Sequence, residues 1–216
     1  MRADYGDKYP VEQVATPEGY ARNPELVINF YNERRKQLLD VVPNAGHLGV
    51  ADLERDFNVT VVTQNVDNLH ERAGSTHVIH LHGELTKVCS SRDPYNPHFV
   101  KELAPEEYEV KLGDKAGDGT QLRPFIVWFG ESVPEIETAI RYVEQADIFV
   151  IIGTSLNVYP AAGLLNYVPR AAEVYLIDPK PVDTHVMRPI HVIQKGASEG
   201  VKELKALLTV TQPPLP

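Results

Sequence analysis

Thr63-Gln64-Asn65-Val66-Asp67-Asn68-Leu69-His70-Glu71-Arg72-Ala73-Gly74, followed by Val78-Ile79-His80-Leu81-His82-Gly83-Glu84-Leu85, is the stretch whose reading decides the fold. Apolar runs feed it from two sides. Val59-Thr60-Val61-Val62 reads as a buried strand that delivers Gln64, Asn65 and Asp67 to a loop, and Val78-Ile79 opens a second strand that delivers His82. Polar side chains therefore cluster where apolar strands end. In an open parallel sheet that edge is where ligands bind, because loop amides and helix N-termini converge there. An imidazole both takes and gives protons near neutrality, which makes His82 the natural base of the cluster.

Outward from this stretch, strands and helices alternate. Upstream, Asn23-Pro24-Glu25 supplies a cap, a proline at the first helical position and an acid in the first turn, so a helix is expected from Pro24 to Leu39. Its apolar stripe is Leu26, Phe30 and Leu38, and Tyr31 and Arg34, three apart, project from one face. Before it, Thr16-Pro17-Glu18-Gly19 reads as a turn; after it, Asn44 caps a helix to about Phe57 with Leu48 and Leu53 inward. Downstream the expected elements are Asn68 to Arg72, Val78 to Leu81, Phe125 to Trp128, Pro134 to Gln145, Ile148 to Ile152, Pro160 to Tyr167, Val174 to Ile177, Val192 to Gln194 and Glu199 to Leu208. Such alternation marks an α/β fold: a Rossmann-like, doubly wound, mostly parallel sheet. The termini, Met1 to Tyr9 and Gln212 to Pro216, are expected to be loose.

Between Thr86 and Leu122 the periodicity gives way to Ser, Asp, Pro, Gly and Lys, the place for a small insert module. Val100, Leu103, Tyr108 and Leu112 are its expected apolar contacts, and Gly113 to Gly119 its flexible loop. The domain organisation expected is one domain over 1–216, a helical segment over 24–57 and the insert over 86–122. With 216 residues the chain can bury one sizeable core. A formal charge of -9 without a basic stripe argues against nucleic-acid binding. No apolar run reaches the roughly 18 residues of a membrane span, and the N-terminus lacks a signal-peptide core, so no membrane contact is expected and the location read is cytoplasmic. The single cysteine, Cys89, permits no internal disulfide, in keeping with a reducing compartment.

Thr63-Gln64-Asn65-Val66-Asp67-Asn68-Leu69-His70 with His82-Gly83 resembles the paired signature of the sirtuins, NAD-dependent protein-lysine deacylases, T-Q-N-[IV]-D-x-L-H and then H-G. A third match is Phe149-Val150-Ile151-Ile152-Gly153-Thr154-Ser155, and the likeness runs from about Val14 to about Leu208. The resemblance implies that the acyl-lysine amide oxygen attacks the nicotinamide ribose carbon of NAD, that nicotinamide leaves, and that a histidine then deprotonates a ribose hydroxyl, the acyl group ending on ADP-ribose. It assigns the base to His82, immediately before Gly83, over His80, which shares its strand parity. Gln64, Asn65, Val66 and Asp67 match the residues at the ribose and nicotinamide end, and side-chain amides and carboxylates suit hydroxyls and a carboxamide. Gly153, Thr154 and Ser155 match a phosphate or ribose contact, Asp178 the adenosine ribose contact, and Ala197 in Gly196-Ala197-Ser198 the adenine-edge loop. Ordinary turns and caps would also use such residues.

The resemblance further likens Phe125 to Glu131, with Val127, Phe129, Gly130 and Glu131, to a strand pairing with the substrate peptide, across from Val158 and Tyr159. A peptide laid between two edges gains backbone hydrogen bonds regardless of its sequence. The chain is similar to the bacterial-type sirtuins, and Tyr31 and Arg34 resemble the Tyr-x-x-Arg pair of the branch that removes malonyl, succinyl and similar acidic acyl groups. A guanidinium fork beside a phenol is the chemistry a distal carboxylate needs.

Two family features are missing. In place of two C-x-x-C zinc pairs the insert offers Cys89 and His98, too few for a four-ligand structural zinc, so no metal is expected. The glycine-rich G-A-G-x-S motif that cradles the pyrophosphate does not occur. The expectation is therefore that the chain's start is internal to a longer gene product and that this form is weakly active or inactive, the alternative being a non-catalytic ADP-ribose or acyl-peptide binding module.

Overall fold

The computed structural model describes residues 9–154, 161–181 and 188–211, folded into two compact units. The first comprises Met1–Val42, Val62–Asn68 and His80–Glu135; the second comprises Pro43–Val61, Leu69–Ile79 and Ile136–Pro216.

The first unit begins with α1 (Val11–Val14) and α2 (Pro17–Arg22). The segment read as a turn at Thr16 is a helix start, because the Thr16 hydroxyl accepts the Gly19 N–H and Pro17 takes the first helical position. Next comes α3 (Pro24–Leu39), with the expected bounds. The Asn23 side chain accepts the Leu26 N–H at 3.1 Å, a cap of about 1 kcal/mol, and Glu25 sits in the first turn. Its buried face is Val27, Ile28, Phe30, Tyr31, Asn32, Arg35 and Leu38. Antiparallel strands follow in the order β4 (Lys101–Glu102), β3 (Gly83–Ser90), β5 (Leu122–Ile126). The strand expected at Phe125 to Trp128 is thus earlier, since pairing with β3 ends at Gly83 opposite Ile126.

Ile28 of α3 packs with Val88 and Val110, with Tyr20, Leu103 and Leu122 around them. Asn32 clamps the insert onto α3, donating to Val110 O at 2.7 Å and accepting Val110 N–H at 3.0 Å. Val110 is therefore the insert's buried anchor, whereas Leu112, expected to pack, is 57% exposed. Cys89 is fully buried, its Sγ 3.8 Å from Pro124 O, and burial pushes the thiol up to about 12. A cysteine that ligates zinc does so as the thiolate, and a structural zinc takes four thiolate or imidazole ligands. Among the described residues no cluster of three or more metal-ligating side chains falls within the insert, so its residues do not fit the family's structural zinc.

The second unit carries the parallel sheet, β6 (Ile148–Ile152), β7 (Glu173–Ile177) and β8 (His191–Ile193) in that order, with Val150 opposite Tyr175 and Leu176 opposite Val192. Around it lie α4 (Ala45–Asp52), α5 (Leu69–Ala73), α6 (Ile136–Val143) and α7 (Ala197–Thr211), with a 3-10 segment at Ala161–Tyr167. Val50, Leu53, Tyr175, Ile177, Ile193, Val201, Leu204 and Leu208 form its core. Glycines set the packing distance. A Cβ at Gly49 would come 2.8 Å from Val201, and one at Gly200 only 2.2 Å from Ile177. The inner face of α4 is consequently Gly46, Gly49 and Val50, and Leu48, expected inward, is 53% exposed. The helix expected from Pro134 to Gln145 contracts to α6, and the one expected to Phe57 ends in a 3-10 turn at Leu53–Arg55.

Two short strands, β1 (Val61–Thr63) and β2 (Val78–His80), thread through both units. In the second unit Val61 N–H donates to His77 O at 3.0 Å; in the first, Leu81 N–H donates to Thr63 O at 2.9 Å. Among the described residues no helix is long and apolar enough to cross a membrane.

Candidate functional site

A two-residue reversal between β2 and β3 carries His82. Gly83 closes it at φ +82, and a Cβ there would lie 2.1 Å from Phe125 O, so only glycine fits after the histidine. Bent this way, the chain sets the imidazole against the loop that follows β1. His82 Nδ1 lies 3.1 Å from Gln64 O, and His80 Nδ1 lies 3.1 Å from Asn65 O. A carbonyl only accepts, so in each ring Nδ1 carries a proton, and in a neutral His82 ring Nε2 keeps the lone pair. Exposure separates the two rings: His80 is buried at 8%, while His82 is only partly covered. Burial lowers the His82 pKa below 6.5 against the opposing pull of the Gln64 carbonyl, so the ring is a neutral base at pH 7.

The loop itself is braced at both ends. Asn65 N–H donates to Thr63 Oγ1 at 3.0 Å, and Leu85 N–H to Val66 O at 2.7 Å. The Gln64 and Asn65 side chains are partly exposed, whereas Asp67 is 3% exposed. In the same loop Asn68 Oδ1 is buried with no hydrogen-bond partner among the described residues, which normally signals a ligand or water donor nearby. A set of amides, a carboxylate and an unsatisfied carbonyl oxygen fits the hydroxyls and carboxamide of a dinucleotide's nicotinamide end.

On α3 the expected pair is split by burial. Tyr31 is 2% exposed, and its phenol oxygen accepts the indole N–H of Trp128 at 3.0 Å. Arg34 sits at the margin, partly exposed, its guanidinium 5.1 Å from the Phe30 ring centre and donating to Gln37 Oε1 at 3.5 Å. Arg35, passed over in the sequence, lies on the buried face at 3% exposure, its Nε and Nη1 without hydrogen-bond partners among the described residues, and burial lowers its pKa to about 10.

Beyond β5 the chain runs past His82. Val127 N–H donates to His82 O at 2.9 Å and Phe129 N–H to Ala15 O at 3.0 Å. A turn follows at Gly130, φ +89, and Phe129 stands 63% exposed. Glu131, expected to meet substrate, has its carboxylate engaged inside the turn: it takes Arg123 Nη1 at 2.8 Å, Arg123 Nη2 at 3.0 Å and Trp128 N–H at 2.8 Å. Arg123 escaped the sequence reading, although an arginine inside the apolar run Leu122 to Trp128 was its visible sign.

The remaining candidates lie in the second unit. Gly153 ends β6 at φ +62, with N–H to Ile177 O at 2.9 Å and open space where a Cβ would stand. Thr154 is partly exposed, Asp178 Oδ1 accepts the Lys180 N–H at 2.8 Å, and Ala197 opens α7. Gly153 and Asp178 follow the adjacent parallel strands β6 and β7, the edge at which such sheets bind nucleotides. Ser155, Val158 and Tyr159 lie outside the described residues.

Known proteins resemble this chain in sequence and fold. Residues 5–160 match the model of the Sir2 family. A protein of Bacteroides thetaiotaomicron named NAD-dependent protein deacylase is 84% identical over 202 residues, covering 94% of this chain and 86% of its own length. The crystal structure of a Sir2 homologue in complex with NAD superposes with a TM-score of 0.78 at 35% identity, covering 94% of this chain and 79% of that one. A Sir2Tm structure bound to a propionylated peptide gives 0.74 at 25% identity, over 95% of this chain and 87% of that one.

Proposed function

From the premise that this chain belongs to the Sir2 family and is an NAD-dependent protein deacylase, we propose that it removes succinyl and malonyl as well as acetyl groups from protein lysines in the cytoplasm. NAD supplies the electrophilic ribose carbon and the nicotinamide leaving group; the products are nicotinamide and an O-acyl-ADP-ribose. In this reading His82 Nε2 takes the proton of a ribose hydroxyl while Gln64 O holds the opposite ring nitrogen and fixes the tautomer. Gln64, Asn65, Val66 and Asp67 hold the nicotinamide ribose, and Gly153, Thr154, Ser155, Asp178 and Ala197 hold the phosphates and adenosine. The substrate backbone lies along Val127, Phe129 and Gly130, with Glu131 shaping the turn.

The preference for acidic acyl groups rests on one observation: a buried Tyr31 hydroxyl with Arg34 one turn further along the same helix, at the margin of the core. A carboxylate entering there meets a phenol and a guanidinium, a charge-assisted pairing that an acetyl group cannot use. Comparing nicotinamide release from succinyl-lysine and acetyl-lysine peptides tests this. Arg34→Met should lower desuccinylation by roughly ten- to a hundredfold and deacetylation far less. Equal losses would remove the carboxylate reading, and peptide or ADP-ribose binding without nicotinamide release would make the chain a binding module instead.

A further inference from the structure

A buried polar chain in the first unit ends on the Tyr31 hydroxyl. Arg123 is 4% exposed and makes a bidentate pair with Glu131. Its Nη2 also donates to Ile126 O at 2.8 Å, and its guanidinium lies 3.6 Å from the centre of the Trp128 ring. Glu131 in turn accepts the Trp128 backbone N–H at 2.8 Å, so one ion pair holds both the backbone and the ring of Trp128. The Glu131 carboxyl would be raised by burial, yet the Arg123 bonds override this and keep it below its usual value, so the pair is ionised at neutral pH. Trp128 is 2% exposed, and its only polar side-chain atom, Nε1, meets Tyr31 Oη at 3.0 Å.

An indole N–H can only donate, so the phenol oxygen must accept, and the phenol's own proton is turned away from the indole. A tyrosine without that partner could rotate its hydroxyl into either role. We propose that Trp128, locked by the Arg123–Glu131 pair, is a positioning residue that fixes the Tyr31 hydroxyl as a donor toward the distal carboxylate of the acyl group. This rests on the carboxylate reading of Tyr31 and Arg34. The same segment reaches the base as well, since Val127 N–H is bonded to the carbonyl of His82. Selectivity and chemistry are thereby held on one short length of backbone. An ordinary core role for Trp128 would need only its ring, as the 5.3 Å approach of the Tyr20 ring illustrates. The indole nitrogen distinguishes the two roles.

The test is binding of succinyl-lysine and acetyl-lysine peptides to the full chain by calorimetry without NAD, with melting curves to confirm folding. Trp128→Phe keeps the ring and removes the donor. It should weaken the succinyl peptide relative to the acetyl peptide by roughly tenfold, the value of one hydrogen bond whose partner loses its orientation. In a Tyr31→Phe background the same change should leave the ratio unmoved, because the coupled group is gone. Glu131→Gln, which retains an acceptor for the Trp128 N–H but loses the charge, should shift the ratio the same way by less, and supplies the comparison if Trp128→Phe does not fold. Equal weakening of both peptides, no change, or an undiminished effect in the Tyr31→Phe background would overturn the proposal. A ratio that responds to Arg34→Met but not to these variants removes this inference alone, whereas a ratio indifferent to Arg34→Met removes the carboxylate reading and the inference with it.

Discussion

His82 shows how a single residue acquires its chemistry from where the chain can bend. Gly83 alone permits the reversal, because any Cβ would collide with Phe125 O; the reversal in turn brings the ring to Gln64 O. Burial then lowers the imidazole pKa below 6.5. A base with a lowered pKa stays deprotonated further into acid, so the acid limb of kcat/KM for deacylation should fall with an apparent pKa below 6.5, read from a pH-rate profile. The same shift bears on stability. The unfolded chain takes up its proton near 6.5 while the folded ring resists it, so stability should begin to decline as pH falls through 6.5 and level off for this group below the folded pKa. Glu131 acts in a lower window: its carboxyl is depressed from 4.5, so its contribution is present above that value and lost as pH falls through the folded one. Urea titrations from pH 8 to about 2 should show both declines, and constant stability across the upper window would contradict the His82 placement. At this scale part of the motif was legible, since His82 meets the Gln64 carbonyl, while Asn65 is met by His80 instead. Arg35 and Asn32 were not, because nothing local in an arginine or asparagine on a polar-looking helix reveals that the tertiary fold will bury it.

At the scale of elements, α3 was readable to the residue because cap, proline and first-turn acid are all local signals. Packing between elements was not. Leu48 was expected inward on α4 by hydrophobicity, but the approach of α7 selects Gly46, Gly49 and Val50 for that face instead. Gly200 makes the same argument testable on α7. Gly200→Ala would favour the isolated helix by about 1 kcal/mol, yet its Cβ would stand 2.2 Å from the buried Ile177. Overpacking should win, giving a net loss of about 1–3 kcal/mol by denaturant unfolding. In the first unit, Asn32→Ala should cost about 2–4 kcal/mol, because it strands both the N–H and the C=O of a buried Val110. A thermal melt within error of the parent chain would refute the clamp.

For the molecule as a whole, the one cysteine offers a built-in reporter. Cys89 is fully buried and its thiol is pushed up to about 12, so it should resist a thiol reagent under native conditions and react only as the first unit opens. Labelling should therefore track unfolding in denaturant, and EDTA should leave the melting temperature unchanged, the thiol being unsuited to zinc; rapid native labelling or a chelator-induced drop would show otherwise. The order of elements, the α/β class and the family were determined by the sequence itself, since caps, apolar runs and the Thr63 to His70 and His82-Gly83 motifs are written in neighbouring residues. What only the tertiary structure decided was which polar groups come within hydrogen-bonding reach of one another. The 97-residue separation of Trp128 from Tyr31 and the 78-residue separation of Asn32 from Val110 are closed by folding, and hydrogen bonding acts over a few ångströms of space, whatever the distance along the chain.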